Sequence, residues 1–518
     1  MNLITRRQFG TLAAAGLLLP VIGPAHAQPR PGGTLTVALY KDLRTLNPIK
    51  GIFGNEWRVG INLYDNLTRL TPSGAVEGDL AESFQASEAS RVFIFRLRRG
   101  VKFHDGSPLT AADVVATFEK MFDPKTAAPY KAEMGPVAGV KALDDYTVRF
   151  ELSSPYADFP KAITNATARI ISQKGIAEFD KLDTTAHGTG PYILKEFTAN
   201  DRAVLERNPN YFRPGRPYLD RLVFRVLPDV QTQLAALRNR EVDVIADAEP
   251  DQFKELSAIR GVKALNVPGG TFNNIVLYAH KPPFDNPKVR MAMRLAMDRK
   301  AMAEAITAGT GSPGDDHPIS AGYEFFDKET PIRKQNLAEA RRLLKEAGHG
   351  NGFQHKLVVS NSPATREKTA VIAQAMAQQI GVNLQIEMMD NARYGSTIWN
   401  KGIESYVGNY STRPNEEVIL SKLYSAKYGI DEGRWANGQR EQLIEAIRAA
   451  TDPAKRREHL IAYQRLARDD GPFIITSFFN SLAGVRDYVN GWPIRPISTE
   501  IKLTEVWLGP DAGGRKKS

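Results

Sequence analysis

Size set against hydropathy is what most constrains this chain. One hydrophobic core stops growing beyond about 250 to 300 residues, yet the chain has 518 and only one apolar run of any length, near its amino terminus. Its interior must therefore be divided between two lobes or more. The apolar run, Thr11 to Ile22, is far short of the roughly 20 residues that span a bilayer. It follows Arg6-Arg7-Gln8-Phe9 and leads to Ala25-His26-Ala27, the order of a twin-arginine export signal and a small-x-small cleavage site. The expectation is a leader over residues 1–27, cut after Ala27, and a periplasmic mature protein of 491 residues starting at Gln28. The competing reading is an amphipathic amino-terminal helix that stays attached. No cysteine stands at the junction for lipid attachment.

Composition removes several function classes. With 42% apolar and 24% charged residues the chain is ordinary globular material. Loss of Arg6 and Arg7 lowers the formal charge from +10 to +8. The remaining basic residues are dispersed, apart from Arg515-Lys516-Lys517 in a basic tail over 511–518, and are not interleaved with aromatics in the way that reads nucleic acid. They read as a solvated surface, and no nucleic-acid partner is expected. Absence of Cys excludes disulfides, thiolate metal sites and a Cys nucleophile. The eight histidines lack metal-site spacing, and neither His-Glu-x-x-His nor Gly-x-Ser-x-Gly occurs. Neither a cofactor nor catalytic residues are expected. Gly309-Thr310-Gly311-Ser312-Pro313-Gly314 spells a dinucleotide fingerprint, but it follows a helix rather than a strand and Pro313 would break the helix that should begin there. It reads as a loop.

Periodicity gives a mixed α and β order. Strands are expected over Gly33 to Leu39, Val92 to Leu97 and Tyr146 to Leu152. Between the last two, Asp105-Gly106 makes a turn and Thr110 caps a helix, with Asp113 at the capping-box position and Val114, Val115, Phe118 and Phe122 on one stripe. Beyond Gly188-Thr189-Gly190-Pro191, strands at Tyr192 to Phe197, Ala203 to Arg207 and Leu222 to Val226 lead to a helix at Val230 to Arg238 and a strand at Val242 to Ala246. After the apolar run Ile275 to Tyr278, helices open at Asn286-Pro287 and Asp298 and run over Asn336 to Ala347 and Thr365 to Ile380, the last two stopped by Gly348 and Gly381; the strand Asn383 to Met388 follows.

Several segments, in order, resemble the extracellular solute-binding family that includes the oligopeptide, dipeptide and nickel-binding proteins of ABC importers. They are Leu80 to Phe84, Leu97 to Val114, Gly188 to Tyr192, Pro282 to Arg290 with Leu295 to Arg299, Ala340 to Gly348, and Gln379 to Val382. The resemblance implies an α/β, two-lobed periplasmic binding protein fold with two hinge crossings and an extra subdomain inserted in the first lobe. On that basis lobe I takes residues 28–60, 188–272 and 485–510, the inserted subdomain 61–187, and lobe II 273–484, with crossings near Phe272 to Val276 and Phe478 to Val485. The implied function is that of a solute-binding component of an importer, catching an oligopeptide-like or similarly sized solute between its lobes. Its implied partners are the solute, an inner-membrane ABC permease, the twin-arginine machinery and signal peptidase, and the expected state is a monomer.

The segment Gly408-Asn409-Tyr410-Ser411-Thr412-Arg413-Pro414 is similar to the family's cleft segment, in which peptide-binding relatives place an aspartate where Arg413 stands. A guanidinium there would repel an amine and accept a carboxylate or phosphate, favouring an anionic, opine-like or amine-blocked solute. The alternative is that Arg413 pairs internally, for instance with Glu416 or Glu417. Candidate ligand residues are Tyr40 and Asp42 from one lobe, Phe272, Asn273 and Asn274 at a crossing, and Asn409, Tyr410, Ser411, Thr412 and Arg413 from the other. Two functions of other classes stand as alternatives, an exported enzyme acting on a small polar substrate and a periplasmic holdase; a nickel or haem carrier is a variant of the binding class.

Overall fold

Two long strands, Val262–Val276 and Ser477–Arg486, carry the chain between its halves and pair with each other in antiparallel fashion along the way. The structure, a computed structural model, describes residues 29–40, 43–71, 74–413, 415–495 and 502–514. The expected leader, cleavage site and Arg515-Lys516-Lys517 lie outside these residues. Among those described, no helix is long and apolar enough to cross a membrane.

On the lobe I side, Thr34–Leu39 pairs in parallel with Arg221–Val226 and with Val244–Ile245, and Arg202–Arg207 and Tyr192–Thr198 extend the sheet to its edge. Thr34–Leu39 is buried on both faces, as a parallel strand covered by helices should be. On the lobe II side, Phe353–Ser360 pairs in parallel with Val382–Met389 and Ser405–Tyr410, and the latter pairs antiparallel with the second half of Val262–Val276. The helices Pro287–Ala296 and Thr365–Gln378 pack on this side through Val289, Met293, Ala370, Ala373 and Ala377. Both halves belong to one continuous twelve-stranded sheet.

The inserted part is a separate four-stranded antiparallel sheet with spatial order Ala81–Ser87, Val92–Leu97, Thr147–Leu152, Val137–Asp144. Helix Ala111–Phe122 covers it, and Thr110 N–H donates to Asp113 Oδ2 at 2.9 Å, as the capping pattern predicts. Phe93, Phe95, Phe150 and Phe159 fill the space beneath in edge-to-face and tilted pairs.

The two crossing strands change lobe where their register slips, between Val267 and Thr271. Pro268, Gly269 and Gly270 occupy the slip. A Cβ on Gly269 would stand 2.5 Å from the Phe479 carbonyl oxygen, so the backbones meet there without room for a side chain. Gly309 to Gly314 forms no helix; Ser312 and Pro313 add a short edge to Ser477–Arg486, so the fingerprint-like run is structural.

Candidate functional site

A cavity of about 300 Å³ opens beside the crossings, with walls from both lobes. Lobe I contributes Tyr40 and the segment Asp247 to Pro250; lobe II contributes Pro363, Thr365, Asn409, Ser411 and Thr412; the crossing strands contribute Thr271 and Phe479 to Leu482. Four of the predicted residues, Tyr40, Asn409, Ser411 and Thr412, therefore meet here. Asp42 lies outside the described residues. Thr412 Oγ1 accepts from Gly270 N at 2.9 Å, which fixes the cleft segment to the hinge.

The other predicted residues stand behind that wall. Phe272 is fully buried against Tyr410 and Phe478. Asn273 donates to Thr369 Oγ1 at 3.0 Å and accepts from Asn409 Nδ2 at 2.8 Å, so it orients a residue of the cavity. Asn274 and Tyr410 are buried and turned toward Glu432. Arg413 reaches across to the inserted subdomain, its Nε 3.4 Å from Glu133 Oε1. Of the carboxylates suggested for it by sequence, Glu417 binds Arg448 at 2.5 Å and Tyr156 at 2.8 Å, and Glu416 accepts from Phe325 N at 3.1 Å. Burial pushes the Glu133 carboxyl up, but Arg413 and Lys422 together outweigh it and hold it below its usual range.

Arg413 is thus part of a band of contacts joining the inserted subdomain to lobe II. Glu133 also binds Lys422, and Asp158 binds Arg456 and, at 3.0 Å, Asn415. Ala157 N donates to Arg448 O at 3.1 Å. Next to the cavity-lining Pro250 and Thr365, Lys368 of lobe II meets Asp251 of lobe I at 2.6 Å. Two lobes, two crossings and a cavity that each lobe half-encloses make a hinged container.

Comparison with known proteins agrees with that geometry. Residues 75–430 match the family described as bacterial extracellular solute-binding proteins, family 5 Middle. The chain belongs to this family. The glutathione-binding protein GsiB of Escherichia coli strain K12 is 26% identical to this solute-binding protein over 495 residues, covering 92% of this chain and 93% of GsiB. Among solved structures, HbpA2 from Haemophilus parasuis superposes with a TM-score of 0.82 at 25% identity, covering 92% of this chain and all of that one. AgaA in complex with agropinic acid, from A. tumefaciens R10, superposes at 0.78 with 23% identity over 92% of this chain and 99% of AgaA. The protein is accordingly the solute-binding component of an ABC importer, taking its solute between two lobes and delivering it to a membrane permease.

In this solute-binding protein two features next to the cleft, neither of them lining it, escape a reading of motifs. The first is Arg366, in the opening turn of helix Thr365–Gln378, whose preceding residues Pro363 and Thr365 line the cavity. Its guanidinium lies over the Tyr394 ring at 5.0 Å and donates to Ser362 O at 2.7 Å and Asn391 Oδ1 at 3.2 Å. Among the described residues it has no carboxylate partner, and its Nε is buried without an acceptor. Desolvation lowers its pKa, partly offset by Tyr394, Tyr410 and Tyr406. The helix it begins has Ala364 as N-cap and no side-chain cap, whereas Asn286, Asp298, Asn336, Asn415 and Asp452 cap their helices by accepting first-turn N–H groups. Uncapped N–H groups and the positive end of the helix dipole favour an anion.

The second is Glu432. It is fully buried and accepts from Tyr406 at 2.5 Å, from Tyr410, and from Asn274 at 2.7 Å. Burial raises its pKa to about 7 against the three donors. Trp399 Nε1 in turn donates to Tyr410 Oη at 2.8 Å, so the carboxylate fixes Tyr410 and, through it, an indole at the surface.

Proposed function

We propose that this protein captures an anionic solute of oligopeptide or opine size, with the anionic group received at Arg366 and the start of helix Thr365–Gln378. The supporting observation is a half-buried guanidinium without a carboxylate partner among the described residues, beside an interlobe cavity and an uncapped helix terminus. A carboxylate of the solute would complete the fork that Ser362 and Asn391 leave open. Tyr40, Asn409, Ser411 and Thr412, with Asp42, line the rest of the solute. Arg413, shared with Glu133, links occupancy of the cleft to lobe closure, and Phe272, Asn273, Asn274 and Tyr410 support the wall. Glutathione and agropinic acid, named with two of the related proteins, are both of this anionic class.

The protein acts by binding alone, without turning its solute over. It is exported through the twin-arginine route, cut after Ala27, and works in the periplasm as a monomer. Differential affinity for the closed state drives closure, and the permease reads the relative placement of the lobes.

Thermal unfolding of the mature protein tests this reading. A ligand at about a hundredfold over its Kd adds roughly 2.7 kcal/mol, enough to raise the midpoint visibly. Glutathione, opines and amine-blocked peptides should raise it, and Arg366→Gln should abolish the shift. A shift from free-amine peptide esters alone would contradict an anion-binding cleft.

A further inference from the structure

A second cavity, about 620 Å³, lies between the inserted subdomain and lobe II. Tyr130 and Tyr156 come from the inserted subdomain, and Trp399, Val418, Tyr428 and Ile430 from lobe II. A space with walls on two bodies exists only while they are apposed. Separation of the lobes would dismantle it, so whatever fills it favours the closed form.

Its chemistry is that of an apolar room with a neutralised rim. Each charged group on the wall has an opposite partner: Glu133 has Arg413 and Lys422, Glu417 has Arg448 at 2.5 Å, and Lys427 has Glu445 at 2.5 Å. The cations also lie over the aromatic faces, Lys422 at 4.7 Å from Tyr130 and Arg448 at 4.1 Å from Tyr428. A charged group entering would displace a partner already in place, whereas an uncharged apolar group would gain contact with the rings and aliphatic side chains of the wall.

The room adjoins the cleft by two bonds. Trp399 on its wall donates to Tyr410 Oη, and Tyr410 is among the rings near the Arg366 guanidinium. Arg413, which follows Ser411 and Thr412 of the smaller cavity, meets Glu133 on the wall of the larger one.

We infer that this cavity receives a bulky apolar group carried by the solute, so that the preferred solutes combine an anionic end with an apolar end; the anionic half of this statement rests on the function proposed above. Occupation by the apolar end ties lobe II to the inserted subdomain, which makes chain length a determinant of closure as well as of affinity.

The test is a titration series of N-acyl glutamates, from acetyl through butyryl and hexanoyl to octanoyl, against the mature protein. Affinity should rise about fourfold per methylene until the room is full. Ala132→Trp and Ile430→Trp each place an indole in the room from opposite walls; both should lose the dependence on acyl length seen in the unaltered protein. Two variants guard against misfolding of one, with the unfolding midpoint as the check. Affinity that depends on Arg366 but not on acyl length, or a length dependence unchanged in both filled variants, would overturn the apolar room. Long homologues whose binding is blocked by the filled variants but indifferent to Arg366→Gln would support the room and overturn the anion site. Binding of no homologue would overturn both.

Discussion

Glu432 shows how a single residue outside the cleft can gather side chains behind its wall. Its three donors come from positions at least 22 residues away in sequence, the most distant, Asn274, at 158, so no local pattern betrays the cage. Asn274 Oδ1 is buried and accepts from no donor among the described residues, so the amide can turn and accept from a protonated Glu432 or from a glutamine. The folded pKa of about 7 lies above the usual 4.5. The sign follows from linkage: the contribution is fully present below about pH 4.5 and is lost as pH rises through 7, by roughly 3 kcal/mol for a fully buried group. Glu432→Gln removes that slope. Chemical unfolding at pH 5 and pH 8 should therefore move in favour of the variant by roughly 2 to 3 kcal/mol on going to the higher pH, the unfolded carboxyl being already mostly ionised at pH 5, and equal differences at the two pH values would contradict a strained carboxylate. Arg366 was equally hard to find by sequence, since its meaning depends on the absence of a carboxylate partner among the described residues. Arg413 was visible as a charge reversal, but its partner Glu133 stands 280 positions earlier and could not be paired with it by spacing.

At the scale of elements much more was legible, because caps and periodicity are local. Thr110 with Asp113 foretold the start of Ala111–Phe122, Asn286-Pro287 that of Pro287–Ala296, and Gly381 the end of Thr365–Gln378. Thr110→Ala removes a hydroxyl bonded to Asp113 at 2.9 Å and should cost about 1 kcal/mol in unfolding measurements; no loss would mean that Asp113 alone supports the cap. The helix Pro453–Asp470 was not read from the sequence, although Asp452 at its cap and Gly471 at its stop are signals of the same kind. Strand Val262–Val276 did not. Pro268-Gly269-Gly270 reads as punctuation, yet the strand continues past it with a slipped register, since crossing between lobes needs a place where side chains are absent and pairing can shift. The breakers mark a register slip inside the strand rather than the end of it, a few residues before Phe272 to Val276, where the first crossing is expected.

For the whole molecule, the connections between inserted subdomain and lobe II determine how firmly the container is shut. Glu133 is shared by two cations from lobe II, and Tyr156, Asp158 and Ala157 add three further ties. Removing one partner of a buried, paired charge is costly, so Glu133→Gln should shift the lobes toward the open form by roughly tenfold or more. Small-angle X-ray scattering would register this as a larger radius of gyration, and an unchanged radius would place the closing force elsewhere. The two-lobed plan itself was legible in the sequence from chain size and from family segments; the solute was not, because its recognition is assembled from both lobes across hundreds of residues. The most direct test of the account is isothermal titration of the mature protein with an opine and with the same opine as its methyl esters, each repeated on Arg366→Gln. The account predicts one-to-one binding of the free acid, weakened at least about thirtyfold by esterification or by the substitution, with the solute recovered unchanged. Equal binding of acid and ester, or binding indifferent to Arg366, would contradict it.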